Sequence, residues 1–89
     1  MPLVMTIGVS DRIKNDEKFC RSVVSAMKRF LKKDWGNVDG EDRATNDQMD
    51  RSLNLDGGGM VLGAYYTGKN KIWIIRDTER TTILFPDEY

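Results

Sequence analysis

The sequence predicts an α+β domain in which a three-stranded antiparallel meander packs on one long amphipathic helix, with a short second helix between them. Apolar residues recur at helical spacing through residues 20–31, and the last third changes to short β-rich runs separated by turn signals. The 89 residues, 39% hydrophobic and 31% charged, suit one domain, 1–89, and are too apolar for a disordered chain.

Leu3 to Val9 is rich in apolar and β-branched residues and reads as a short strand or extended arm, a candidate fourth strand. Ser10, Asp11 and Asp16 then offer helix N-caps. Cys20, Val23, Val24, Met27, Phe30 and Leu31 fall on one predicted helix face, with Lys14, Lys18, Arg21, Ser25, Lys28 and Lys32 opposite. That helix should end near Lys33, where basic residues suit the negative end of the dipole and Gly36 can turn left-handed.

Residues 34–59 are mostly polar and punctuated by Gly36, Gly40 and Gly57 to Gly59. A short helix is expected from about Glu41 to Leu53, with acidic residues in its first turn and Ala44, Met49 and Leu53 supplying apolar surface. Met60 to Thr67, Lys71 to Asp77 and Thr81 to Phe85 then form the meander. In its middle strand Ile72 and Ile74 point one way while Trp73 and Ile75 point the other, so both sheet faces are apolar. One helix covers only one of them. The second face calls for the acidic segment, the N-terminal arm or another subunit, and an uncovered Trp73 patch would mark a binding surface.

Net charge is zero, from 14 basic and 14 acidic residues, but residues 11–33 carry about +5 and residues 34–59 about −5. Such a split favours docking onto a complementary protein over bulk attraction to nucleic acid or membrane. Histidine is absent, which removes the commonest general base and transition-metal ligand together. Cys20 is the single cysteine, so no internal disulfide forms and a reducing compartment, the cytoplasm, is expected. The apolar start, Pro2 to Val9, lacks a basic n-region and is too short for a signal h-region or a membrane span.

Motifs that could carry chemistry fail on context. Gly63 to Lys69 matches G-x-x-x-x-G-K, but Asn70 replaces the magnesium-binding hydroxyl and a strand follows where a helix is needed. Aligning Gly40 with the sixth position of a calcium loop puts Trp35 and Asn46 at ligand positions that neither can fill. The glycine triplet lacks the last glycine of a dinucleotide fingerprint, since Leu62 stands there. Cys20 lies on the expected apolar face with no base to activate it. Catalytic residues, metal ligands and cofactors are therefore expected to be none.

Partner contact is read at the basic stripe, Lys14, Lys18, Arg21, Lys28 and Lys32, at the acidic Asp39, Glu41 and Asp42, and at Trp73. The stripe suits phosphates but holds no aromatic to stack on bases, so a nucleic-acid-associated regulator is the second reading. Trp35 is read as an anchor packing the helix end onto the sheet.

Several stretches resemble signatures of a widespread family of small uncharacterised bacterial proteins related to plasmids and phages. They are Asp34-Trp35-Gly36 with Glu41-Asp42 and Asn46, then Leu62-Gly63-Ala64-Tyr65, then Lys71-Ile72-Trp73-Ile74-Ile75 leading through Arg80-Thr81-Thr82 to Leu84-Phe85-Pro86-Asp87-Glu88-Tyr89. Family members carry Gly where Lys33 stands, Ser at Gly63 and an acidic residue at Arg76, so this chain departs from the pattern in charge. The resemblance implies a mobile-element setting, where small proteins inhibit host defence or regulate expression. The combined expectation is a non-enzymatic protein-binding module of a mobile element, an inhibitor of host defence or a regulatory adaptor. Its expected partner is a host or element-encoded protein, with a homodimer as a further option and no membrane.

Overall fold

The computed structural model describes residues 2–89 and is α+β, with three helices over a four-stranded mixed sheet. In chain order the elements are β1 (Leu3–Met5), α1 (Ile7–Asn15), α2 (Glu17–Leu31), α3 (Gly40–Asn54), β2 (Val61–Thr67), β3 (Asn70–Arg76) and β4 (Thr81–Leu84), then a 3-10 turn at Pro86–Glu88. The meander β2–β3–β4 forms as expected, and β1 joins β4 in parallel to give the order β1-β4-β3-β2. A purely antiparallel three-stranded sheet is therefore corrected to a mixed one. Gly68 takes φ +67 in the tight turn between β2 and β3, so the phosphate-loop look-alike is a hairpin.

The single long helix is corrected too. Ile7–Val9, expected to be extended, opens α1, and Asp16 then breaks the run with φ −144 and ψ 101. Its carboxylate accepts from the Phe19 amide at 3.1 Å, so the aspartate ends one helix and caps the next. The buried stripe of α2 is Phe19, Val23, Ala26 and Phe30, one residue round from the predicted face; Val24 and Leu31 are exposed. Phe19 and Ala26 replace them because the stripe follows the sheet, and a small Ala26 lets α2 approach the strands closely.

β-strand alternation divides the sheet cleanly. Val61, Tyr65, Ile72, Ile74 and Ile83 lie on the inner face in one buried cluster with Val9, Phe19, Val23, Ala26, Phe30, Trp35 and Leu53. Met27 packs against this cluster, so the pleated layer does rest on α2 as expected. Trp35 is buried edge-on to Phe30 at 5.2 Å, and its indole N–H donates to Asp47 at 2.9 Å, confirming the anchor.

The outer edge of β2 is closed by side chains and loop. Asn46 donates to the Leu62 carbonyl at 2.8 Å and accepts from its amide at 3.2 Å, imitating a neighbouring strand. Beside it Ala64 N–H donates to Trp35 O at 3.0 Å, and Asn37 N–H to Ala64 O at 2.7 Å. Gly36, at φ +74, sits where a Cβ would collide with the Ala64 carbonyl oxygen, so only glycine fits that bridge.

The chain ends are stitched together by Glu88. Thr6 Oγ1 donates to its carboxylate at 2.6 Å, Gly8 N–H at 3.1 Å and Phe85 N–H at 3.0 Å. The Thr6 hydroxyl, aided by the Phe85 and Gly8 amides, holds the carboxyl below its ordinary value of 4.5. A depressed carboxylate stabilises the fold above its unfolded pKa and loses that contribution as pH falls through the folded one. Glu88→Gln should therefore unfold at lower temperature than wild type at pH 7, by no more than about 1 kcal/mol after solvent screening. The gap should close below pH 4.5 in a pH series of thermal melts.

Both long helices end on left-handed non-glycine residues, Lys33 at φ 65 and Asp56 at φ 61. In each, the following amide reaches back five residues, Asp34 N–H to Arg29 O at 2.9 Å and Gly57 N–H to Ser52 O at 2.7 Å. Asp56→Gly should stabilise the protein by about 0.5–1 kcal/mol in denaturant unfolding, because glycine adopts this conformation without a Cβ clash.

Candidate functional site

Two surfaces stand out, one on each side of the sheet. On the outer side the register sets Ala64, Trp73 and Leu84 in one row and Leu62, Ile75, Thr82 and Val4 in the next. The buried apolar side chains of the helices all belong to the inner cluster, so none of them covers these rows. Ala64, Ile75 and Leu84 are buried, while Tyr66 is 60% exposed and Trp73 half-buried. The Tyr89 ring meets Trp73 edge-on at 5.8 Å, and the Lys71 ammonium lies 5.6 Å above the Tyr66 ring. Trp73 thus lies in the middle of an apolar surface, where the sequence had placed a candidate contact.

On the inner side a cleft of about 430 Å³ opens between the end of α2, α3 and the sheet, with Leu3, Met27, Phe30 and Leu31 as its apolar walls. Asp50 sits on its floor, its side chain only 7% exposed. Arg76 Nη1 donates to Asp50 Oδ1 at 2.9 Å, and Lys33 Nζ approaches Oδ2 at 2.8 Å. Arg76 Nη2 also donates to Asn54 Oδ1 at 3.0 Å. Two cations therefore share one carboxylate and leave the cleft with a net positive charge.

The other predicted contacts lie apart from these surfaces. Lys14 belongs to α1, whereas Lys18, Arg21 and Lys28 lie on α2 and Lys32 at its C-cap, so the break at Asp16 divides the stripe. All five are exposed, and none enters an ion pair among the described residues. Asp39 is the N-cap of α3, accepting from the Asp42 amide at 2.8 Å, and Glu41 and Asp42 fill the first turn. The positive end of that helix accounts for these acids.

Sequence reasoning passed over Asp50, Lys33, Arg76 and Asn54 as a group. A signal was present: Asn46 and Asp50 recur with Leu53 at i, i+4 and i+7, two polar residues on the stripe that α3 buries. Buried polar groups at such positions have partners elsewhere in the fold. Tyr65 is another, its phenol donating to the Asp34 carbonyl at 2.7 Å and kept protonated because burial, then the Asp34 charge, pushes its pKa up.

No helix among the described residues is long and apolar enough to cross a membrane. No family model, no characterised protein and no solved structure matches the chain.

Removing Asp50 leaves two cations facing each other across a partly buried cleft. Asp50→Ala should cost about 3 kcal/mol in denaturant unfolding, and adding Arg76→Met to an Asp50→Leu background should restore most of that loss.

Proposed function

We propose that this chain is a non-enzymatic protein-binding module that docks through the outer face of its sheet. The observation that carries the reading is Trp73, half-buried on the sheet face opposite the helix core, with the exposed Tyr66 on the same face and the exposed Tyr89 ring against it. Exposed aromatic residues on a sheet face mark association sites, and tryptophan is enriched among the anchors in them. The resemblance to plasmid- and phage-related proteins supplies the setting: a cytoplasmic inhibitor of host defence or a regulatory adaptor, with a host or element-encoded protein as partner.

A nucleic-acid-associated regulator is the second reading, and what favours it is that Lys18, Arg21, Lys28 and Lys32 are exposed and enter no ion pair among the described residues. The protein-binding reading stands first because those residues flank no exposed aromatic on their own helix, whereas the sheet face carries the exposed Tyr66 and, against Trp73, the exposed Tyr89.

The two are separated by affinity capture from a lysate of the source cells, with folding of each variant checked by circular dichroism. Trp73→Ala should reduce the captured partner at least tenfold, as loss of a hot spot of about 2 kcal/mol requires, while Lys18→Glu/Lys28→Glu should retain it. Retention by Trp73→Ala and loss on charge reversal, with steep salt dependence, would reverse the assignment.

A further inference from the structure

The inner cleft lies on the opposite side of the sheet from Trp73 and has features that the protein-docking reading does not use. Its floor is charged and its walls are apolar. Asp50 spends its two oxygens on Arg76 and Lys33, so a single negative charge faces two positive ones. Lysine carries three N–H donors and arginine five, while the distances account for one from Lys33 and two from Arg76. Leu31, 72% exposed, and Leu3, 52% exposed, stand beside these charges without burying their own surface.

Lys33 reaches this place at a backbone cost. It occupies the left-handed region at φ 65, where glycine is the default and an L side chain is strained. The same conformation ends α3 at Asp56, so it marks no function by itself. At Lys33 it directs an ammonium into a cleft whose carboxylate already has an arginine.

We infer that this cleft is a binding site for an apolar monocarboxylate, its carboxylate held by Lys33 and Arg76 and its hydrocarbon lying against Leu3, Met27 and Leu31. The charge decides the class. One excess positive charge is neutralised by a monoanion, whereas a phosphate-like dianion would bring an uncompensated charge into a partly buried site. A neutral ligand would gain no charge-assisted hydrogen bond from either cation. A space of about 430 Å³ falls in the range of small-molecule pockets, and its apolar walls need a ligand with a tail, not a bare anion.

The test is an NMR titration of the ¹⁵N-labelled protein with octanoate, with acetate and octan-1-ol as single-feature controls. Octanoate should give saturable shifts at Leu3, Leu31, Lys33 and Asn54. Acetate should give none, and octan-1-ol should bind about tenfold more weakly or less, since it lacks the charge-assisted hydrogen bonds. Lys33→Gly suits the left-handed backbone, so the fold is not at risk, and it should weaken octanoate about tenfold. Leu31→Glu, at an exposed position, should weaken it as well by placing a like charge at the mouth. Equal binding of octan-1-ol, unchanged affinity in Lys33→Gly, shifts centred on Tyr66 and Trp73, or no saturation would each overturn the assignment. Such a failure leaves the sheet-face reading untouched, because Trp73→Ala does not alter the cleft.

Discussion

Ile72 and Ile74 leave water only if something apolar is laid on their side of β3, and Trp73 and Ile75 make the same demand on the other side. The chain has enough helix for one of these two tasks. α1, α2 and α3 all turn their buried side chains toward the inner face, where Val9, Val23, Phe30 and Leu53 meet the isoleucines. Everything distinctive about the molecule follows from that imbalance. The outer face is left to shelter itself with its own aromatic residues and the terminal tyrosine.

A small sheet of this kind also has to manage its edges. At β2 the chain closes the edge twice over, with the Asn46 amide and with the Trp35–Asn37 segment, so neither a register slip nor strand addition is open there. The same Asn46 belongs to the buried stripe of α3, which ties the helix to the sheet by directional bonds where apolar contact is thin. Four residues further along, Asp50 continues the pattern with charge in place of amide. α3 is thus held mainly by polar contacts and Leu53, in contrast to α2, which is held by packing.

That contrast explains which parts could be read in the sequence. The meander was legible because period-two runs of Val, Ile, Tyr and Trp between turn residues have few other solutions. The main helix was legible in existence but its face was misplaced by one residue, since Val24 and Leu31 compete with Phe19 and Ala26 on hydropathy alone. Only the position of the sheet decides between them. The break at Asp16 was hidden by a pattern that runs through it, although the residue itself is a good cap. Trp73 emerged because alternation shows which side it takes. The Asp50 cluster did not, because Lys33, Asp50 and Arg76 are far apart in sequence and are brought together by the fold alone.

The parallel pairing of β1 with β4, locked by Glu88 across 82 residues to Thr6, has a consequence for biosynthesis. β1 finds its neighbour only once the chain has been made as far as β4. Until then Leu3, Val4 and Met5 travel as an apolar segment with nothing to pair against, and closing so long a loop is slow compared with local helix formation. Products that stop short of β4 would therefore leave β1 unpaired and sticky, giving quality-control proteases and chaperones a ready means of telling finished copies from unfinished ones.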